Sequence, residues 1–153
     1  MQHILNKIRD ETGETVHLAF PIPGDKILYA AKAESRNPFR LTSLVRMTEE
    51  AEHSAIGMVL YPSMQEKNDS TMTFSVCNNV RCCIKYELPM DAYCIAASLS
   101  VNGNFPAAAL SLVVPKIRFQ GRPEFYIAKF TEKICLLQTH LTGKIADSTA
   151  RQK

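Results

Sequence analysis

No stretch of this 153-residue chain approaches the roughly 18 apolar residues that a membrane-spanning helix needs. Nothing near Met1 resembles a signal peptide, because Ile4, Leu5 and Ile8 are too few and too dispersed to form its apolar core. A cytosolic type of compartment is therefore expected. The chain has only six glycines, and none of them builds a phosphate-binding loop. No serine or cysteine sits in a nucleophile elbow, and His3, His17, His53 and His140 are scattered. These absences argue against an enzyme, and no cofactor is expected. Internal repeats and low-complexity segments are also missing.

The cysteines are Cys77, Cys82, Cys83, Cys94 and Cys135. Their odd number and the lack of a secretory context predict free thiols. Zinc is not expected. The spacing of Cys77, Cys82 and Cys83 is C-x4-C-C with no second knuckle, and neighbouring side chains on a strand diverge.

What is present fits a globular domain. Apolar residues make up 46% and charged residues 22% of the chain. One domain is expected over residues 1–153, with residues 1–13 as a possible helical arm and 144–153 as a frayed tail. The charge is uneven: residues 1–114 carry ten Lys/Arg and twelve Asp/Glu, residues 115–153 eight and three, so the two segments are −2 and +5. A basic C-terminal third can face the phosphates of RNA or of anionic lipid, or can simply solubilise the surface.

Periodicity predicts an α+β fold. Met1 to Glu11 reads as a helix ended by Thr12-Gly13, its stripe of Ile4, Leu5 and Ile8 facing a membrane, a partner or its own domain. Thr15 to Phe20 and Lys26 to Lys32 read as strands, and Pro21 to Gly24 as a turn or edge loop. Asn37-Pro38 stops the incoming strand. Thr42 or Ser43 then caps a helix running to Ala55, with Leu44, Met47, Ala51 and Ala55 on one face. Gly57 ends it, and Met58 to Tyr61 reads as a strand. Pro62 to Ser70 reads as an exposed loop.

An antiparallel sheet is expected over residues 71–119. Thr71 to Cys77 and Cys82 to Leu88 alternate, and apolar matching pairs Val76 with Cys82 and Phe74 with Ile84 through an odd loop. Tyr93 to Val101 and Ala107 to Val114 follow as strands, Asn102 to Asn104 as a turn, and Ile117 and Phe119 on an extended segment. A last helix is expected over 129–142, stopped by Gly143. Phe119, Tyr126 and Phe130 interleave with Arg118, Arg122 and Lys129. That pattern suits single-stranded nucleic acid, unless the aromatics are core.

The stretch Ser35 to Met58 resembles a segment of rhabdovirus matrix proteins. In that family a strand leads to a Pro-Phe-Arg corner, then a helix and a Gly-Met step. The matching residues are Arg36, Pro38, Phe39, Arg40 and Gly57-Met58. The resemblance covers about 24 residues and implies an α+β, non-enzymatic structural protein of the virion. Such a protein self-associates, condenses the nucleocapsid, and binds the anionic inner leaflet of the envelope beneath a viral glycoprotein. It would also occupy the host cytoplasm and the membrane periphery, with entry into the nucleus left open. The chain lacks the Pro-Pro-x-Tyr motif and lysine-rich arm of animal-virus members, so the shorter plant-virus proteins fit better. Lys116, Arg118, Arg122, Lys129 and Lys133 would then meet lipid or nucleocapsid. Two other readings compete: a small basic RNA-binding protein (movement protein or silencing suppressor), and an enzyme using Cys77 or Cys83.

Overall fold

The computed structural model describes residues 1–38, 47–66, 71–88, 90–101 and 106–151. Seven strands run β1 (Thr15–Ile22), β2 (Lys26–Ala33), β3 (Thr48–Glu50), β4 (Met72–Cys77), β5 (Val80–Glu87), β6 (Ala92–Ser100) and β7 (Pro106–Pro115). The helices are α1 (Gln2–Thr12), α2 (Ala55–Leu60), α3 (Lys116–Gly121) and α4 (Pro123–Arg151). The strands form one antiparallel sheet in the order β3-β2-β1-β7-β6-β5-β4. The expected α+β class, an antiparallel sheet packed by helices, is what the chain adopts.

Both faces of the sheet are covered. On one, Leu5 and Ile8 of α1 and Phe119, Tyr126, Phe130 and Ile134 of α3 and α4 close over Val16, Leu110 and Leu112. On the other, α2 and the 3-10 turn before it close over Ala19, Ala96 and Ala109. Each large side chain fully buried here contributes about 1.5–3 kcal/mol. The alanines let the short helix approach the sheet closely.

α1 forms where its apolar stripe predicts, and Gly13 ends it with φ 80 while its N–H bonds the Arg9 carbonyl at 2.6 Å. The stripe offered to a membrane or partner is closed inside the domain: Leu5 and Ile8 are 0% and 1% exposed, and Ile4 is half-buried.

Other expectations are corrected. No helix runs from Thr42 to Ala55: residues 48–50 are β3, paired with β2 through Lys26↔Glu50 and Leu28↔Thr48. Ser54, not Thr42 or Ser43, caps the helix that forms, its Oγ accepting from the Gly57 N–H at 3.3 Å. Phe39, Arg40, Thr42 and Ser43 lie outside the described residues, as does the turn at Asn102 to Asn104. Gly57 lies inside α2 and is no helix stop, and Met58 to Leu60 are helical rather than a strand. Pro62–Glu66 form a 3-10 turn, residues 67–70 being outside the description.

The β4–β5 hairpin takes the register that apolar matching rejects. Val76 pairs with Arg81 and Met72 with Lys85 around Asn78-Asn79. Both asparagines have positive φ, 52 and 61, which a two-residue hairpin turn demands. Apolar matching fails because β5 has no solvent face: Cys82, Cys83, Ile84 and Lys85 are all buried. The residues after Pro115 turn into α3 instead of staying extended. α4 starts six residues before the expected 129 and runs on through Gly143 to Arg151, so the backbone of the expected frayed tail is helical as far as residue 151. Pro21 does sit in a strand, but β1 pairs with β7 only from Thr15 to Ala19, so its missing N–H faces no ladder on that side.

Candidate functional site

A β-bulge between Leu18 and Ala19 re-aims β2 so that Tyr29 and Lys32 both face the α2 side of the sheet. His17 lies between them in register: Lys32 is opposite on β2 and Ser111 opposite on β7. Ser111 is opposite Ala96 on β6, and Cys94, two residues earlier, is opposite Lys85 on β5. α2 covers the alanine end of this face. The other end is a polar cluster drawn from six strands.

The centre of the cluster is buried, and Glu49 at its edge is exposed. His17 is 4% exposed and Ser111 1%. The Tyr29 hydroxyl donates to Glu49 Oε2 at 2.7 Å, and the Tyr29 ring meets His17 edge-on at 5.3 Å. Lys85 lies 3.3 Å from the Glu87 carboxylate. The Ser111 hydroxyl makes no hydrogen bond of ordinary geometry among the described residues, its near neighbour being the Cys94 thiol.

Burial fixes the protonation states. The His17 imidazole is pushed down to about 4, by burial first and then by the Lys32 charge. Burial raises the Tyr29 phenol far above its ordinary value, with the Cys94 and Glu49 neighbours adding to it. Burial likewise raises the Cys94 thiol, and Glu87 adds to it. At neutral pH all three are uncharged. The unfolded chain takes up a proton at its histidine near pH 6.5, before the folded one does. The stability His17 confers is therefore complete above that pH and is lost as pH falls toward 4, by about 3 kcal/mol in all. Urea unfolding between pH 7 and 4 should show this loss, and His17→Gln should reduce it. An identical pH profile in the variant would refute the assignment.

The residues singled out from sequence fall elsewhere. Arg36 is exposed, 3.9 Å from Asp10, and Pro38 is exposed beside it. Arg118 grips the buried Glu14 carboxylate with Nε 3.0 Å from both oxygens. Lys133 pairs with Glu11 at 2.9 Å. Arg122 stacks on the Phe125 ring at 4.1 Å, and Lys116 lies over Tyr86 at 5.5 Å. Lys129 is half-buried. Arg118, Lys133, Arg122 and Lys116 thus each contact a group of the domain itself, and Phe119, Tyr126 and Phe130 are core. Of the two candidate nucleophiles, Cys83 is 0% exposed, which leaves it unsuited to attack, while Cys77 is half-buried at the end of β4. Among the described residues, no group of three or more His, Cys, Asp or Glu is placed to hold a metal, and no helix is long and apolar enough to cross a membrane.

Sequence reasoning missed the polar cluster, whose members come one or two per strand. The available signal was a polar residue within an apolar strand run: His17 in Val-His-Leu and Ser111 in Leu-Ser-Leu.

No protein-family profile and no curated protein matches the chain. Solved structures do. The chain is similar to the IclR protein of Thermotoga maritima, at 16% identity and TM-score 0.65 over 92% of this chain and 66% of that one. It is similar to an IclR transcriptional regulator from Alicyclobacillus acidocaldarius, at 13% identity and TM-score 0.66 over 92% and 66%. The C-terminal domain of a Vibrio cholerae protein described as a transcriptional regulator matches at 13% and TM-score 0.64 over 90% and 91%. The chain thus spans just under two thirds of the first two. At such identities the likeness establishes the fold.

It also corrects the earlier expectations. The rhabdovirus resemblance rested on a strand, corner and long helix, and residues 48–50 within that supposed helix are a strand. The fold is one found in transcriptional regulators. The matrix-protein and RNA-binding readings fall with it, and so do the nucleocapsid, envelope membrane and glycoprotein partners and the placement in a virion.

Proposed function

We propose that this chain is the sensing unit of a transcriptional regulator, a non-catalytic domain that binds a small molecule in the polar cluster of His17, Tyr29, Cys94 and Ser111. The observation that carries the proposal is the buried Ser111 hydroxyl without a hydrogen bond of ordinary geometry, on a sheet whose fold matches transcriptional regulators. A buried polar group of this kind is satisfied when a ligand supplies the missing partner. DNA contact by the whole protein and association between copies belong to the same proposal and are assigned to no residue here.

The test is thermal unfolding of the purified protein against a collection of small metabolites. A ligand present at about 100 times its Kd adds about 2.7 kcal/mol, a rise of several degrees in Tm for a domain of this size. Ser111→Ala and Tyr29→Phe keep the shape of the core and should weaken that response. A folded protein that no compound stabilises, or a response that both variants retain in full, would overturn the proposal.

A further inference from the structure

We infer that β4 is a docking edge for a second copy of this chain. The two β4 strands pair antiparallel about a two-fold axis at Phe74, so that one continuous sheet runs through both copies. This pairing rests on the part of the reading above in which copies associate, and not on the ligand.

The two edges of the sheet differ. β3 is three residues long, carries Glu49 and Glu50, and is exposed throughout. Shortness and charge are what keep an open edge from pairing with another chain. β4, at the far edge, has neither. Met72–Cys77 is six residues without a charge or a proline, and its register with β5 is unbroken. Val76 is 69% exposed, and Thr73 is exposed as well.

The ladder shows which backbone groups are open. Asn78-Asn79 make a two-residue turn, so Cys77 and Val80 form a hydrogen-bonded pair, and alternation makes Ser75 with Cys82 and Thr73 with Ile84 such pairs too. The bond from the Tyr86 N–H to the Thr71 carbonyl, at 3.0 Å, continues the same alternation. The N–H and C=O groups of Met72, Phe74 and Val76 therefore point away from β5, along the open edge. A register centred on Phe74 sets these groups opposite one another. Phe74 faces Phe74 of the second copy and Met72 faces its Val76, each pair exchanging both N–H···O bonds. An axis normal to the sheet keeps the α2 layers of both copies on one side. On that side Met72 comes over the exposed Val76, while Thr73 and Ser75 meet on the opposite face. β4 brings no charge to this line, and Arg81 of β5 is drawn back over its own Phe74 ring at 4.3 Å and donates to Gln65 at 2.7 Å.

The test is sedimentation velocity of the intact protein over a wide range of concentration. The sedimenting mass should rise reversibly from one chain to two. Val76→Pro deletes an N–H that the ladder to β5 does not use, and proline is tolerated on an edge whose N–H faces solvent. The variant should stay folded by circular dichroism and associate about tenfold or more weakly, because each copy loses a hydrogen bond across the axis. Val76→Lys, which leaves the backbone groups in place, should weaken association too, and it carries the test if the proline variant does not fold. Leu136→Lys, at an exposed position of α4, should leave association unchanged. A folded protein that stays monomeric at every concentration would overturn the inference and leave the ligand-sensing role standing. Association that the folded Val76 variants retain in full, or that Leu136→Lys alone abolishes, would place the interface elsewhere and overturn it while copies still associate.

Discussion

Gly57→Ala is expected to cost the domain several kcal/mol, because Gly57 alone among the described glycines has backbone where a Cβ would go. Gly57 lies in the first turn of α2, and the 3-10 turn Ala51–His53 folds directly over it. A Cβ there would overlap the Ala51 carbonyl oxygen and lie 2.6 Å from the Ala51 Cα. Those atoms are backbone and cannot swing aside as a flexible side chain does. Ala51 is itself held, because its N–H bonds the Asp25 carbonyl at 3.0 Å and its own carbonyl accepts from the Ser54 N–H at 3.2 Å. Relief requires α2 to move away from Ala19, Ala96 and Ala109, which opens the core on that face. Overpacking of this kind costs about 1–3 kcal/mol when side chains can adjust and more when they cannot. Urea unfolding of the variant measures it. A loss below about 1 kcal/mol would show that the turn and helix part freely, contrary to this packing.

Arg118→Met is expected to cost about 3–5 kcal/mol at neutral pH, because it leaves a buried carboxylate without its partner. Glu14 is 1% exposed and sits between α1 and β1, 104 positions from Arg118. Burial raises its carboxyl above the ordinary value even though the Arg118 hydrogen bonds pull it down. A carboxyl so raised binds its proton more readily in the folded state, so the stability it confers falls as pH rises through the window from its ordinary value of 4.5 to the raised one. Removing Arg118 widens that window. The variant should therefore be much less impaired near pH 5 than near pH 8, and Glu14→Gln in the same chain should restore most of the loss. A small penalty that does not change with pH would mean the carboxylate finds water, and the pair would count as a surface contact.

How much of this was legible in the sequence follows from which elements have a solvent side. α1, β1, β6 and β7 were read within a residue or two of their ends, because an apolar stripe or run bounded by turn residues marks them. β5 was misregistered because four consecutive residues are buried and alternation no longer carries information. There the turn chemistry of Asn78-Asn79 decided. Short apolar helices were misread as strands or extended chain: in α2 all six residues are buried, and in α3 the spacing of Ile117 and Phe119 imitates a strand in sequence although Phe119 is buried and Ile117 is 76% exposed. The resemblance of Ser35 to Met58 failed for the same reason, since it depended on a helix where β3 forms. The basic C-terminal third was legible as composition but not as a surface, because its partners Glu11 and Glu14 come from the opposite end of the chain.

The sheet order has a kinetic consequence. β1 to β3 form one meander and β4 to β7 another, each built from contacts close in sequence. Between strands, the two are joined along a single line, β1 against β7, where His17 meets Ser111 across most of the chain length. Local hairpins form early, while a pairing this remote must first meet the entropy of closing a long loop. The β1–β7 line is then expected to be the last part of the sheet to zip. A molecule seated at His17 and Ser111 would act as a stitch across that line, its binding free energy adding to the bond between the halves.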